Sequence, residues 1–282
     1  MCAIEVRLRP TTYGRVATGR VSFSVLMRRP VCRWLSYAPL AIAAVAAVPG
    51  CRRPVAPLIQ PGSSAIALTA GPNTSMVYLA RLDTTVVAVD LGWWGAPGAV
   101  RRALLELDAS PAQVTHVFLT HSHRDHVGAW RLLRGSQFHL AAGERAPFTG
   151  ASRHRGWVPR TAEALKPTDL PHPGDLTIRT FSRDTAFAFG ADTVRAYVVP
   201  GHTAGSAVYL VRGVLFLGDA ATYHVWNGFG PAVPRHSDDP EAARRNLRAL
   251  WARLPPGEVR YVCTAHAHCA PYSAAFLRDV AR

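Results

Sequence analysis

The most informative part of this chain is rich in histidine and runs Thr120-His121-Ser122-His123-Arg124-Asp125-His126-Val127-Gly128. It follows the apolar run Val117-Phe118-Leu119, whose β-branched and aromatic residues predict a buried strand. Residues i and i+2 of an extended segment point the same way, so His121 and His123 can bind one cation together. The aspartate and the third histidine follow at the turn and can face a second cation. Imidazole and carboxylate ligands suit zinc and neighbouring transition metals.

Outward from this stretch, short apolar or alternating runs bounded by turn residues predict a succession of strands. The predicted strands are 66–68, 75–79, 85–90, 117–119, 138–140, 176–178, 186–189, 194–199, 207–211, 214–217 and 259–262. Apolar residues at helical spacing predict helices over 97–107, from about 127 to 133 and from about 240 to 254. Residues 143–174 show no period, and a segment this long without one is usually functional or mobile.

Each further candidate ligand stands just past the end of a predicted strand. His202 follows Val199, Asp219 follows Leu217, and His266 follows Val262, as His121 follows Leu119. Loops at strand ends that converge on one point form a site on a rigid scaffold. Asp90 also ends a strand, and we expect it to orient a ligand or to cap a turn rather than to bind a metal.

In this order the motifs resemble those of the metallo-β-lactamase superfamily, over about residues 65–282. The resemblance implies a fold of the α/β (α+β) class, a four-layered αβ/βα sandwich with the site at one edge of two β-sheets. It also implies two divalent metal ions, predicted to be zinc. The implied ligands are His121, His123 and His202 for the first metal, Asp125, His126 and His266 for the second, and Asp219 as the bridge. His268 remains an alternative to His266, because the sequence Ala-His-Ala-His offers two histidines.

The chemistry implied by the resemblance is metal-dependent hydrolysis. A metal-bridging hydroxide would attack a small ester, lactone, thioester or amide substrate, and Asp125 would act as a catalytic residue that orients the hydroxide and passes a proton to the leaving atom. His123 replaces the glutamate of oxygen-reducing members, which disfavours redox chemistry. The short interval between Asp219 and His266 leaves no room for the domain inserted in nuclease members. Few residues follow His268, which disfavours thioesterases of the glyoxalase type with their helical C-terminal domain.

Two alternatives to this interpretation stay open. One is a metal-binding or sensing lipoprotein with little catalysis, and the other is a member that hydrolyses β-lactams. The formal net charge of +14 rests on 31 arginines and one lysine, which are scattered along the chain rather than grouped in a block. We therefore expect a small-molecule substrate and no nucleic-acid partner. The oligomeric state is left open.

The N-terminal region is predicted to direct the chain to the cell envelope of a bacterium. A basic segment from Met27 precedes an apolar run over 35–48, which is short for a membrane span, and Cys51 follows Gly50. This order resembles a lipoprotein signal in which Met27 is the start and Cys51 is lipidated; the alternative is an uncleaved membrane anchor. Residues 1–51 would then be an upstream extension and signal segment, 52–64 a tether and 65–282 the hydrolase domain. Outside the cytoplasm Cys263 and Cys269 could pair, but we expect free thiols.

Overall fold

The computed structural model describes residues 64–68, 75–93, 95–224, 228–267 and 269–280. The predicted signal segment with Cys51, most of the tether and the alternative ligand His268 lie outside the described residues. Export, lipidation and a membrane anchor therefore stay predictions. Among the described residues, no helix is both long enough and apolar enough to cross a bilayer.

The described residues form strands and a smaller number of helices. The strands are β1 (Ser64–Leu68), β2 (Met76–Leu82), β3 (Thr85–Val89), β4 (Val114–Phe118), β5 (Gln137–Ala141), β6 (Thr177–Phe181), β7 (Thr185–Phe189), β8 (Asp192–Val198), β9 (Ala207–Val211), β10 (Val214–Gly218), β11 (Ala221–His224), β12 (Gly228–Pro231), β13 (Tyr261–Thr264) and β14 (Cys269–Pro271). The helices are α1 (Ala96–Glu106), α2 (Arg145–Phe148), α3 (Trp157–Leu165), α4 (Pro240–Leu250) and α5 (Ala274–Val280). Single 3₁₀ turns cover Pro111–Gln113, Ala142–Glu144 and Pro234–His236.

Two six-stranded sheets dominate the described part of the chain. The first has the order β1-β2-β3-β4-β5-β6, and the second has the order β14-β13-β10-β9-β8-β7. In the first sheet β3 to β6 run parallel, whereas β1 and β2 are antiparallel to their neighbours. In the second sheet β7 to β10 form an antiparallel meander, and β13 lies parallel to β10. The strands β11 and β12 form a separate hairpin.

Alternating side chains along the strands divide the apolar core into three layers. On β9, Tyr209 faces the layer between the two sheets, whereas its neighbours Val208 and Leu210 face the outer side of the second sheet. Helix α1 covers the outer side of the first sheet, and α4 and α5 cover that of the second. Side chains of period 2 thus give each sheet two buried faces, and the predicted four-layered αβ/βα sandwich is confirmed.

The helix predicted over 127–133 is wrong, because that segment forms a series of turns. The amides of Gly128 and Ala129 donate to Gly92 O (2.6 Å) and Leu91 O (3.0 Å), outside the segment. Further along, Trp130 N and Leu132 N donate to the carbonyl three residues earlier. The first amides of the segment are therefore bonded to the loop after β3, which prevents a regular α-helical ladder.

The expectation of two free thiols is also wrong. Cys263 and Cys269 form a disulfide bond, with their Cα atoms 4.0 Å apart. The two residues stand directly opposite each other in the antiparallel pair β13–β14. The six-residue spacing alone does not reveal this register.

Candidate metal centre

The strand ends that carry the candidate ligands meet at one edge of the sandwich. Strands β8, β10 and β13 point the same way in the second sheet, so the loops that follow them leave at the same edge. Backbone hydrogen bonds join this edge to the first sheet, from Ala207 N to Thr120 O (2.8 Å) and from Met76 N to Ala265 O (2.8 Å). The loop after β4, which carries the histidine-rich stretch, is thereby placed against the other three.

Two glycines permit this close approach of the loops. Gly201, with φ +136°, precedes His202, and a Cβ there would lie 2.0 Å from Ala243 N. Gly218, with φ +53°, precedes Asp219, and a Cβ there would lie 2.4 Å from Thr120 Oγ1. Both positions combine a left-handed backbone with contact too close for any side chain, so glycine is required at each.

The first group of candidate ligands is His121, His123 and His202. Their facing nitrogens form a nearly equilateral triangle: Nε2 of His121 lies 3.1 Å from Nδ1 of His123, and Nε2 of His202 lies 3.2 Å and 3.1 Å from these atoms. All three side chains are buried. Zinc–nitrogen bonds of about 2.0–2.1 Å in a tetrahedral site separate the nitrogens by roughly 3.3–3.4 Å. The triangle therefore has nearly the size that one such cation requires.

Hydrogen bonds behind the first group assign the protonated nitrogen of two histidines. Thr120 Oγ1 donates to Asp90 Oδ2 (2.7 Å) and therefore accepts from Nδ1 of His121 (3.1 Å). Ser237 Oγ donates to Val233 O (2.8 Å) and accepts from Nδ1 of His202 (3.2 Å). In each histidine the proton on Nδ1 leaves Nε2 with a lone pair for a cation.

The second group of candidate ligands is Asp125, His126 and His266, which converge on Asp219. Oδ2 of Asp219 lies 3.2 Å from Nε2 of His266 and 3.8 Å from Nε2 of His126. The same oxygen lies 3.7 Å from Nε2 of His202, which belongs to the first group. Oδ2 of Asp125 lies 3.3 Å from Nε2 of His266. Asp219 thus stands between the groups, where a bridging carboxylate is expected.

Asp90 holds His126 in the orientation that this arrangement needs. Its Oδ2 accepts a hydrogen bond from Nδ1 of His126 (2.9 Å), and its Oδ1 accepts from Thr120 N (2.8 Å). Asp90 is buried and has a left-handed backbone, with φ 58°. As predicted, it both orients a candidate ligand and fixes the turn into the histidine-rich stretch.

The electrostatic environment differs between the two groups. Burial holds the pKa of His121 and of His123 well below the usual range, and it lowers the pKa of His202 to about 4. Burial also opposes the charge on His126, but the carboxylates of Asp90 and Asp125 outweigh it and raise the pKa to about 9. Burial alone would raise the pKa of Asp219. The charge and the hydrogen bond of His266 outweigh burial and hold that pKa well below its usual range.

The donor set fits the metals that the sequence predicts. In the part of the chain that the structure describes, the buried atoms Nε2 of His126 and Oδ1 of Asp219 have no hydrogen-bond partner. Buried polar atoms are seldom left unsatisfied, and a bound metal ion would satisfy both. Three clusters of ligand atoms could each hold a metal: His121–His123–His202, His121–His126–Asp219 and Asp125–His126–His266. The structure brings together all seven of the predicted ligands that it describes.

Sequence reasoning missed Glu144, which joins two ligand loops. This carboxylate is fully buried. Its Oε2 accepts hydrogen bonds from Ser122 N (2.7 Å) and Ser122 Oγ (2.5 Å), and its Oε1 accepts one from Gly205 N (2.9 Å). Glu144 follows the end of β5, so the pattern of polar residues after strands could have indicated it. It fixes the loop of His121 and His123 against the loop of His202.

His154 and Arg124 also adjoin the centre, and the sequence assigned a role to neither. The ring of His154 packs edge-on against that of His123, with centroids 4.4 Å apart, and its Nε2 lies 3.2 Å from Ser122 Oγ. The guanidinium of Arg124 lies 4.9 Å from the ring centre of Trp93, and its Nη1 donates to Ala162 O (3.3 Å). Both residues connect the histidine-rich stretch to the segment 143–174.

Known proteins resemble this chain in sequence and in fold. The hydroxyacylglutathione hydrolase of Shewanella oneidensis is 28% identical over 193 residues, which are 68% of this chain and 61% of the relative. That of Anaeromyxobacter dehalogenans is 33% identical over 126 residues, 43% of this chain and 47% of the relative. The matches therefore span about half to three-fifths of these relatives. The small number of residues after His268 had disfavoured this thioesterase type.

The fold itself is shared with solved structures. A metallo-beta-lactamase family protein from Thermus thermophilus aligns with a TM-score of 0.56 at 20% identity, over 77% of this chain and 76% of that one. At this identity the likeness concerns the fold alone. The family model described as the metallo-beta-lactamase superfamily matches residues 70–268, which is well over half of the chain. The chain belongs to the metallo-β-lactamase superfamily.

Proposed function

We propose that this protein is a hydrolase with two zinc ions, which cleaves a small ester, lactone, thioester or amide. The observation that carries the proposal is the position of Asp219 Oδ2, 3.7 Å from His202 of the first group and 3.2 Å from His266 of the second. His121, His123 and His202 would hold one ion, Asp125, His126 and His266 the other, and Asp219 would contact both. When bound, such a pair lowers the pKa of water towards neutrality and polarises a carbonyl oxygen.

The protein side of the reaction is assigned to a few residues. Asp125 stays partly accessible, with 12% of its side chain exposed, so its carboxylate can orient a water molecule and carry a proton to the leaving atom. Thr120, Asp90 and Ser237 hold the imidazoles in the tautomers that bind metal. The chain thus supplies positioned ligands and a proton carrier, and the substrate supplies the polarised bond.

Metal content and turnover together test this proposal. The purified full chain is analysed for metals by elemental analysis, and the same sample is assayed with an ester, a lactone, an acylglutathione thioester and a β-lactam. The thioester is included because the matched relatives are hydroxyacylglutathione hydrolases. We expect two zinc ions per chain and turnover of at least one class. Two ions without turnover would favour a metal-binding or sensing protein, and absence of bound metal would overturn the proposal.

Export to the bacterial cell envelope is a separate proposal, which rests on the sequence before residue 52. If Met27 is the start and Cys51 is lipidated, the mature protein carries a lipid at Cys51 and enters the membrane fraction. Cys51→Ser should then accumulate as an unlipidated precursor, detected by mass spectrometry. A mature chain that begins at Met1 and is found in the soluble cytoplasmic fraction would contradict this proposal.

A further inference from the structure

A cavity of about 330 Å³ adjoins the metal centre on the side of the segment 143–174. Apart from Ser122, its walls come from residues 147–172, within the segment that the sequence left without a predicted element. Prolines and a leucine give it rigid apolar walls: Pro147, Pro159, Pro167, Leu170 and Pro171. The volume lies in the lower part of the range of about 300–1,000 Å³ that is typical of sites for small molecules.

The cavity is positively charged. Arg153 and Arg160 line it, together with His154 and His172. Neither arginine side chain forms an ion pair or hydrogen bond with any residue in the described ranges.

Glu163 is the single carboxylate among the residues that line the cavity, and it is already engaged. Its two oxygens accept hydrogen bonds from N and Oγ1 of Thr168, both at 2.8 Å. The nearby Asp169 is paired with Arg131 instead, at 2.6 Å. Two arginines therefore face the cavity against one carboxylate, which favours an anionic ligand.

The cavity begins at the metal-binding loop itself. Ser122, between the ligands His121 and His123, is part of its lining. His154 lines it as well and packs against the ring of His123, with centroids 4.4 Å apart. A molecule in the cavity would therefore lie close to a candidate metal ligand.

We propose that this cavity binds the negatively charged part of the substrate, so that the enzyme prefers esters or thioesters with a carboxylate away from the scissile bond. The inference rests on the proposed hydrolase function and names its substrate class. The apolar walls accommodate the hydrocarbon between the carboxylate and the reacting carbonyl. Arg153 and Arg160 determine the specificity, because guanidinium groups bind carboxylates through paired hydrogen bonds.

Matched substrates that differ only in charge test the proposal on the zinc-loaded full chain. One pair is the 4-nitrophenyl monoester of glutarate and that of glutaramate; the other is the acetyl thioester of 3-mercaptopropionate and that of 3-mercaptopropionamide. We expect kcat/KM to favour the charged member of at least one pair by about tenfold or more. Arg160→Gln and Arg153→Gln should each lower kcat/KM for the charged member and so reduce this preference. Arg244→Gln, an exposed arginine on α4 outside the cavity lining, is the control for loss of charge.

A binding measurement separates this inference from the proposed function. Glutarate and glutaramide are titrated calorimetrically into metal-free protein, where no carboxylate–metal contact can contribute. We expect saturable binding of glutarate alone, weakened by Arg160→Gln and unchanged by Arg244→Gln. Equal hydrolysis of charged and neutral substrates, with no binding of glutarate, would overturn the inference and leave the hydrolase intact. Binding of glutarate without hydrolysis of any substrate would support the cavity and count against the hydrolase.

Discussion

The two groups of candidate ligands differ in the distances between their ligand atoms and in the exposure of their side chains to solvent. In the first group, His121, His123 and His202 are buried and their nitrogens lie 3.1–3.2 Å apart. In the second group the separations between facing atoms range from 3.2 to 3.9 Å, and His266 has 33% of its side chain exposed. The fold therefore prepares the first site before any metal binds, whereas the second depends on two carboxylates that repel each other and are held near His126 and His266.

Removal of metal should have the largest effect and should show this order directly. Stepwise addition of a chelator is expected to release the ion of the second group first, because that group is more open and less closely arranged. Activity should be lost completely and return when zinc is added back. Elemental analysis and turnover are measured on the same aliquots. Simultaneous release of both ions would show that the two groups act as one site.

Among the single substitutions, Asp219→Ala, which removes the bridging carboxylate, should cause the largest loss of activity. Without this carboxylate the repulsion between two cations is not relieved, while the three histidines of the first group remain complete. We expect occupancy of the second site to fall more than that of the first, and activity to fall by more than the roughly 10–100-fold that outer-shell partners cost. Circular dichroism should show a preserved fold.

His123→Ala is the matched variant for the first group. It should lower occupancy of the first site instead, again with little change in circular dichroism. Opposite effects on metal stoichiometry in the two variants would confirm the assignment of the groups. An Asp219→Ala protein that retains two tightly bound ions and full activity would show that the bridge is another residue.

Asp90→Asn should have a smaller effect, which falls mainly on the second group because Asp90 bonds His126 directly and reaches His121 only through Thr120. The carboxylate of Asp90 accepts from Nδ1 of His126 and thereby keeps the Nε2 atom available. An amide at this position either accepts one hydrogen bond less or presents a donor to the imidazole. We expect metal affinity at the second site to fall by about 10–100-fold, measured by competition with a chromophoric chelator. A change mainly at the first site would be inconsistent with the hydrogen bonds described above.

The sequence was sufficient to predict the strands that follow a simple pattern and to place the candidate ligands at their ends. His202, Asp219 and His266 each follow a buried strand, and strands of one direction deliver their loops to one edge. The two-sheet architecture was implied by the family resemblance, and the alternation of residues such as Val208 and Tyr209 between two apolar layers agrees with it. No comparable pattern in the sequence indicated which distant loops contact each other.

The features that the sequence did not predict depend on contacts between segments far apart in the chain. The helix expected over 127–133 fails because its first amides bond to the loop after β3. The disulfide of Cys263 and Cys269 depends on the register of β13 and β14. The cavity is lined by residues from 122 to 172 that show no common period. In each case the structure depends on a contact with another segment of the chain. Local propensity cannot specify such a contact.

Glu144→Gln should have the smallest effect of these substitutions. The effect should fall on the first group, which Asp90 reaches only through Thr120. The buried carboxylate accepts three hydrogen bonds that fix the loop of His121 and His123 to Gly205, in the loop of His202. Glutamine keeps one carbonyl oxygen but turns an amide donor towards another donor. We expect the free energy of unfolding to fall by about 1–3 kcal/mol, measured by urea denaturation.

The metal readout distinguishes a positioning role of Glu144 from a merely structural one. If Glu144 sets the spacing of the three histidines, we expect the metal affinity of the first site to fall by at most about tenfold, the lower end for residues that position metal ligands. The metal affinity of the second site should not change. Glu241→Gln, on the surface of α4 with 90% of its side chain exposed, is the control, because surface ion pairs contribute little to stability. Loss of stability with unaltered metal affinity would show that Glu144 supports the fold without shaping the site.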